Sequence, residues 1–164
     1  MNTPVEISMY GTVNSSHVGS RIISGLGGSN DMSRSAMLSV MHTPSTRPSK
    51  TDPHGISCIV PMVSHVDSTD HDLMVFVTEC GIAPVRGLSP IQRAKAIIDK
   101  CAHPVYKDQL KEYLDVSIFY NRKGGLDTPH IFDSVFDMHI NHERNGTMRL
   151  PSGHFANKHG PNKM

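Results

Sequence analysis

A glycine-rich segment, Gly25 to Asp31, is the part of this chain best suited to hold an anionic ligand. Glycine occupies three of its first four positions, so the backbone can bend there and a bulky ligand can approach main-chain N–H groups closely. Polar, helix-opening residues follow, and a helix that starts here would point its free N–H groups at the ligand. The segment matches neither the GxGxxG pattern nor a Walker loop, so an ordinary surface turn remains the alternative.

Glu79 is the first candidate for acid–base or orienting chemistry, because it directly follows the apolar run 73–78. That run predicts a buried strand, and ligands of α/β sheets bind outside the carboxyl ends of strands. The alternative is that Glu79 caps a neighbouring loop or pairs with Arg86. Its neighbour Cys80 is interpreted as a bystander thiol, since no His or Asn is placed near it as in a cysteine-protease signature.

The segment Ser64 to Asp72 contains two histidines and three aspartates, which raises the question of a metal site. Their spacing fits no defined pattern of metal ligands. Polar turns between strands use Asp and Ser for ordinary turn chemistry. We therefore predict no metal ligand here, and a His/Asp metal-binding module is the weakest of the functional alternatives.

The elements that would position these residues are short apolar runs followed by helix signals. Strands are predicted at 5–10, 37–41, 56–63 and 73–78. Helices are predicted to start at Ser89-Pro90, at Pro104 and at Thr128-Pro129, and the last to end by Asn145-Gly146. Between the strands, the proline-rich stretch 43–55 predicts a surface loop carrying the basic residues Arg47 and Lys50.

This order of elements predicts an α/β fold with an open, mostly parallel sheet flanked by helices. One domain is expected over residues 1–150, followed by a disordered polar tail over 151–164. Of the 164 residues, 37% are hydrophobic and 5% are aromatic, and Trp is absent. This composition predicts a small hydrophobic core for the length of the chain, which indicates that part of the surface packs against a partner.

Charge and cysteine content exclude several classes of function. The net charge of +1 gives no general case for nucleic-acid or membrane binding. The three cysteines lack any CxxC spacing, so neither a disulfide framework nor a zinc ribbon is expected and a reducing compartment is the default. The chain also shows no pattern of a targeting leader and no apolar stretch of about 18 residues.

Six ordered motifs, covering about residues 1–148, carry a resemblance to a known family. The sequence resembles the C-terminal half of the acetyl-CoA hydrolase / succinyl-CoA:acetate CoA-transferase family, a class I CoA-transferase, and its fungal mitochondrial branch in particular. The motifs are Asn14-Ser15-Ser16-His17-Val18, Gly25-Leu26-Gly27-Gly28-Ser29, Ile59-Val60-Pro61-Met62-Val63-Ser64-His65-Val66-Asp67, Val77-Thr78-Glu79, Arg86-Gly87-Leu88-Ser89-Pro90 and Cys101-Ala102-His103-Pro104. The loop 41–50 and the ending 146–148 resemble the fungal branch.

The resemblance implies an acyl-CoA:carboxylate CoA-transferase with acetyl-CoA hydrolase activity, acting on acetate, propionate or succinate through a glutamyl-CoA thioester. The family's nucleophilic glutamate lies in a segment before the equivalent of Met1, so this chain alone is expected to be inactive. Glu6 has no nucleophile motif around it and does not replace that residue. The alternative function is a non-catalytic CoA-binding fragment or pseudoenzyme.

The resemblance also assigns site residues. Glu79 corresponds to the family's second active-site glutamate, for which we expect a raised pKa. The CoA-binding residues are Leu26, Gly27, Gly28, Asn30 and Lys50. Asn30 stands where the family has Gly, and its tolerance of left-handed geometry would preserve the turn. Cys80 and Pro84 replace the family's usual Gln and Asp.

Further expectations concern partners. The resemblance implies CoA as a substrate with no resident cofactor and no metal. Its implied partners are acyl-CoA, small carboxylates, the N-terminal half of the same enzyme and further copies of that enzyme. It also implies a mitochondrial location.

Overall fold

The structure is a computed structural model, and it describes residues 1–160. All strands are short, and in chain order they are β1 (Glu6–Ser8), β2 (Val13–Asn14), β3 (His17–Val18), β4 (Arg21–Ile22), β5 (Val40–His42), β6 (Thr46–Arg47), β7 (Ile56–Ser57), β8 (Ile59–Val60), β9 (Val75–Thr78) and β10 (Gly81–Pro84). The helices are α1 (Ser29–Ser35), α2 (Pro90–Cys101), α3 (Pro104–Asn121), α4 (Asp137–Asn145) and α5 (His154–His159). Within residues 1–160, none of these helices combines the length and apolarity that a bilayer crossing requires.

The strands form two three-stranded sheets and two separate hairpins. The sheets have the orders β2-β1-β8 and β10-β9-β5, and in each the central strand has one parallel and one antiparallel neighbour. The hairpins are β3–β4 and β6–β7. The α/β class is confirmed, but these small mixed sheets take the place of the expected open, mostly parallel sheet.

The apolar run 56–63 shows why the sheet is divided. It was expected to form one strand, yet Ile56–Ser57 pair with β6 and Ile59–Val60 pair with β1. Between them, the Ser57 hydroxyl donates to the carbonyl of Ile59 at 2.7 Å. A serine hydroxyl that bonds a nearby main-chain carbonyl competes with the hydrogen bonds of a continuous strand. The run is therefore divided, and its two halves belong to different sheets.

Helices α2 and α3 begin where the sequence predicts. Ser89 accepts the N–H of Gln92, the Gln92 side chain accepts the N–H of Ser89, and Pro90 occupies the first turn. At the start of α3, the His103 side chain accepts the N–H of Val105 at 3.3 Å. Helix α2 packs on β9 and β10, and α3 packs on α2 and α5. Buried side chains of both three-stranded sheets, among them Ile7, Ile59 and Phe76, join those of the helices in one core.

Helix α4 begins later than predicted, at Asp137 instead of directly after Pro129, although it ends at a left-handed Gly146 as expected. The backbone between these points is bound by side chains. The carbonyl of Pro129 accepts from the Tyr10 hydroxyl at 2.6 Å, and the N–H of Ile131 donates to the Tyr113 hydroxyl at 3.1 Å. A helix that starts at Pro129 would need the carbonyl of this residue as an acceptor for its first turn, and the bond from Tyr10 occupies it. Residues 132–136 form turns instead.

The expected disordered tail over 151–164 is wrong for the part that the structure describes. Residues His154–His159 form α5, and Phe155 is fully buried with its ring 5.0 Å from that of Tyr113. Glu112 accepts the N–H groups of Gly153 and Ala156, which satisfies the start of the helix. The buried aromatic residue and the bonds from Glu112 thus order this polar segment, and residues 161–164 lie outside the described part.

Candidate active site

Glu79 lies in the two-residue turn between β9 and β10, at the end of the strand that is parallel to β5. The turn is attached to the end of α2, because the Thr78 hydroxyl donates to the Cys101 carbonyl at 2.9 Å. Gly81 allows the hairpin to approach α2 closely, since a Cβ at this position would lie 2.8 Å from the Lys100 carbonyl oxygen. The Glu79 carboxylate is therefore presented at the protein surface by a hairpin that is fixed against α2.

The Glu79 carboxylate is held by Ser45, from the loop that follows β5. The Ser45 N–H donates to Oε2 of Glu79 at 2.8 Å, and the Ser45 hydroxyl donates to Oε1. Ser45 is fully buried, so both donors are fixed in place. This contact agrees with the alternative that Glu79 caps a neighbouring loop, and its partner is Ser45 instead of Arg86.

A rise in the pKa of Glu79 is expected where a second carboxylate shares its site, whereas its surroundings within this chain act in the opposite direction. Burial acts to raise the pKa, but the two hydrogen bonds from Ser45 and the nearby His103 outweigh it and hold the pKa below its usual value. Glu79 is thus ionised at neutral pH. In this form it can accept hydrogen bonds, orient a donor or act as a weak base, but it does not offer a proton.

The glycine-rich segment forms an exposed turn that leads into α1. Gly27 has the left-handed φ of +58°, whereas Asn30 lies inside α1 with ordinary helical geometry, so the expected left-handed role of Asn30 is wrong. Its side chain is used differently. It donates to the Asp67 carbonyl at 2.8 Å and accepts from the Ser68 hydroxyl at 2.5 Å. Asn30 thereby fixes the start of α1 to the segment that precedes β9.

Lys50 is exposed and lines a cleft of about 710 Å³ together with the end of α4. This cleft shares Pro48, Ile56, His142 and Glu143 with a second cleft of about 560 Å³ that reaches β1 and the β3–β4 hairpin. Lys50 makes no side-chain hydrogen bond or ion pair to any part of the chain between residues 1 and 160. Its ammonium group is therefore free to meet an anionic ligand.

The predicted site residues make no direct polar contact across the three regions. Among the described residues, no hydrogen bond or ion pair joins the Gly25–Asn30 turn, Lys50 and Glu79 to one another. Ser45 is a further site residue, and the sequence indicates only a surface loop at its position. No pattern within the loop identifies it, because its partner lies 34 positions further along the chain.

A second buried polar cluster surrounds Glu6, at the wall of the 560 Å³ cleft. Its carboxylate is paired with His139 Nε2 at 2.9 Å and accepts from Asn14 at 2.7 Å and from the Ser64 N–H at 2.9 Å. Burial acts to raise the pKa of Glu6, but these partners outweigh it and lower the pKa to about 2. Every oxygen is engaged within the chain, which agrees with a structural role and not with a nucleophile.

Solved structures with a similar arrangement define the class of fold. The crystal structure of RipA from Yersinia pestis matches 68% of this chain and 26% of its own, with 33% identity and a TM-score of 0.59. A 4-hydroxybutyrate CoA-transferase from Porphyromonas gingivalis matches 70% of this chain and 25% of its own, with 28% identity and a TM-score of 0.52. The fold is thus one found in a CoA-transferase.

Sequence comparison then assigns the family. The family model for the acetyl-CoA hydrolase/transferase C-terminal domain matches residues 1–114, so the chain belongs to this family. The acetyl-CoA hydrolase of Candida albicans is 62% identical over 154 residues, and that of Saccharomyces cerevisiae is 53% identical over 154 residues. Each match covers 93% of this chain, which spans about 29% of the length of these relatives.

Proposed function

We propose that this chain supplies the CoA-handling C-terminal part of an acyl-CoA:carboxylate CoA-transferase with acetyl-CoA hydrolase activity. The observation that carries the proposal is family membership combined with Glu79 at a strand end, where its carboxylate is ionised and held by Ser45. In this role Glu79 orients the carboxylate acceptor or the attacking water. The nucleophilic glutamate comes from the remaining part of the enzyme.

CoA binding is assigned to the glycine-rich turn and to Lys50. Leu26, Gly27 and Gly28 present main-chain groups at an exposed turn, and Lys50 provides a free positive charge beside an open cleft. A phosphate held by lysine gains a charge-assisted hydrogen bond. The two joined clefts next to Lys50 offer the length that an extended ligand such as CoA needs.

The partner in this proposal is the N-terminal part of the same enzyme. Large apolar side chains around the glycine-rich turn are half or more exposed, namely Val18, Ile22, Ile23, Met32 and Leu38. Such a concentration is typical of a surface that another protein region covers. Oligomerisation of the assembled enzyme and its location in mitochondria belong to the same proposal, and size-exclusion chromatography and cell fractionation test them.

The test is a chimaera in which this chain replaces the matching C-terminal part of the Candida albicans acetyl-CoA hydrolase. We expect CoA release from acetyl-CoA and CoA exchange with succinate, and the 164-residue chain alone should show neither. Lys50→Ala in the chimaera should weaken CoA binding on the order of tenfold, because a charge-assisted contact contributes roughly 1.5–3 kcal/mol.

Lys123→Ala is the matched control, since Lys123 is also exposed and lies in the turn after α3. This variant should bind CoA with the same affinity as the unsubstituted chimaera, and calorimetry measures both. CoA binding without turnover would support the alternative of a non-catalytic CoA-binding fragment. An unchanged CoA affinity in Lys50→Ala would instead mean that Lys50 is an ordinary residue of a solvated loop and does not bind CoA.

A further inference from the structure

Three side chains that could ligate a metal meet on the side of the molecule where β3 faces the segment 64–69. They are His17, His65 and Asp67, and one ligand atom from each lies within 4.8 Å of the others. The Asp67 side chain is 7% exposed and that of His65 is 45% exposed. The cluster is therefore built on a buried carboxylate and opens to solvent through an imidazole.

Ser16 determines the tautomer of His17. Its hydroxyl lies 2.7 Å from Oδ2 of Asp67 and 2.7 Å from Nδ1 of His17. A carboxylate can only accept, so the single hydroxyl hydrogen goes to Asp67 and the hydroxyl oxygen accepts from Nδ1–H of His17. The lone pair of His17 is then on Nε2, and a metal-ligating histidine commonly has its other ring N–H bonded in this way.

Hydrogen bonds hold the Asp67 carboxylate in place. Its Oδ2 accepts the Ser16 hydroxyl and the N–H groups of Ser15 at 2.7 Å and of Ser16 at 2.8 Å. Its other oxygen, Oδ1, lies 2.9 Å from the Ser16 hydroxyl and 3.4 Å from Nε2 of His65.

The two imidazole rings lie side by side, with centroids 3.7 Å apart and planes inclined by 31°. The two histidines are 48 positions apart in the sequence, and this ring contact brings them together. The tautomer of His17 leaves the lone pair of Nε2 available, and metals bind such an unprotonated ring nitrogen.

We propose that His17, His65 and Asp67 form a binding site for a divalent transition-metal ion of the Zn²⁺ type. Two imidazoles and one carboxylate suit Zn²⁺, which takes a tetrahedral set and leaves the fourth position to water. Mg²⁺ and Ca²⁺ prefer sites made of oxygen ligands. Zn²⁺ bonds of about 2.0–2.2 Å place neighbouring ligands roughly 3.3–3.5 Å apart. The 3.4 Å between Nε2 of His65 and Oδ1 of Asp67 matches this spacing, and the ligand atom of His17 lies within 4.8 Å of both.

Such an ion would join two segments that are distant in the sequence. The carbonyl of Asp67 also receives the Asn30 side chain from α1, so the metal site and the start of α1 share one piece of backbone. A ligand that binds only the folded state stabilises it by mass action. This inference does not depend on the proposed enzymatic function, because it concerns only contacts within the described chain.

The test measures Zn²⁺ binding to the 164-residue chain by competition with a chromophoric chelator. We expect one high-affinity site per chain, and His17→Gln and His65→Gln should each weaken it by at least about tenfold. Zn²⁺ should raise the melting temperature of the wild type and not that of His65→Gln, whereas Mg²⁺ should raise neither. Asp67 is left in place, since its replacement would also release Ser15 and Ser16.

His71→Gln is the matched control, because His71 lies two residues beyond the segment 64–69, outside the cluster and with 86% of its side chain exposed. Its affinity for Zn²⁺ should equal that of the wild type. If the double variant of His17 and His65 binds Zn²⁺ as tightly as the wild type, the site does not exist. A loss in His71→Gln equal to that in His65→Gln would also overturn the proposal, since it would indicate adventitious surface binding.

Discussion

Glu79 and Ser45 form the contact on which the proposed chemistry depends. Two donors from one buried serine hold an ionised carboxylate at the end of β9. The same contact also anchors the loop after β5, so position alone does not separate a catalytic role from a structural one. Replacing Glu79 with the neutral glutamine separates the two roles, because a catalytic role predicts a loss of turnover and a structural role predicts a loss of stability.

For Glu79→Gln in the chimaera, we expect turnover to fall by roughly 100-fold while CoA affinity and melting temperature stay nearly constant. The amide keeps an oxygen that can accept from Ser45 but loses the negative charge. Both quantities are measured on the same preparation. A lower melting temperature with unchanged turnover per folded molecule would mean that Glu79 only caps the loop.

At the scale of elements, α5 is a short helix that tertiary contacts hold in place. Phe155 is fully buried against Tyr113, and Glu112 satisfies two N–H groups at the start of the helix. A six-residue helix is far too short to be stable in isolation. Its order must therefore come from tertiary contacts, namely the packing of Phe155 on α3, the bonds to Glu112 and the contacts of His154 and Lys158 with Asp137.

Phe155→Ala should lower the free energy of unfolding by about 3–5 kcal/mol, the usual cost of a large buried aromatic residue. Phe132→Ala is the matched control, because 81% of Phe132 is exposed and its loss should cost less than about 0.5 kcal/mol. Urea denaturation measures both variants. Equal midpoints for the two variants would show that α5 does not contribute to the folded core.

At the scale of the whole molecule, acid stability depends on buried carboxylates that hold distant segments together. Glu6 joins β1 to α4 through His139 and to the chain after β8 through Ser64. Its pKa is about 2 in the folded protein against 4.5 as the ordinary value. The difference corresponds to about 3 kcal/mol of stability, which is present above pH 4.5 and lost as the pH falls towards 2.

Glu6→Gln should therefore be less stable than the wild type by about 3 kcal/mol at pH 7, and the difference should shrink by about 2 kcal/mol by pH 3. Urea denaturation at a series of pH values measures it. Asp108→Asn is the control, because Asp108 is exposed on α3. Burial lowers the pKa of His130 to about 4 from its ordinary 6.5. The folded state therefore also loses stability as the pH falls below 6.5, by the same amount in every variant. A difference that is independent of pH would contradict the role of Glu6.

Local signals in the sequence determined the elements whose causes are themselves local. Ser89, Gln92 and Pro90 specify the start of α2 through contacts within four residues, and Gly146 specifies the end of α4. The α/β class, the position of Glu79 at a strand end and the family followed from patterns of the same kind. Motifs spread over about 148 residues then identified the family, and the family model confirmed it.

Only the tertiary structure decided the features that depend on residues far apart in the chain. Ser45 meets Glu79 across 34 positions, and Tyr10 meets Pro129 across 119 positions. The first contact lowers the pKa of Glu79 within this chain, and the second helps to delay the start of α4. The cluster of His17, His65 and Asp67 was likewise invisible in the segment 64–72 alone, because its third ligand comes from β3. Local sequence patterns report only on residues that are close in the chain. Contacts between distant residues depend on how the whole backbone folds, so only the tertiary structure shows them.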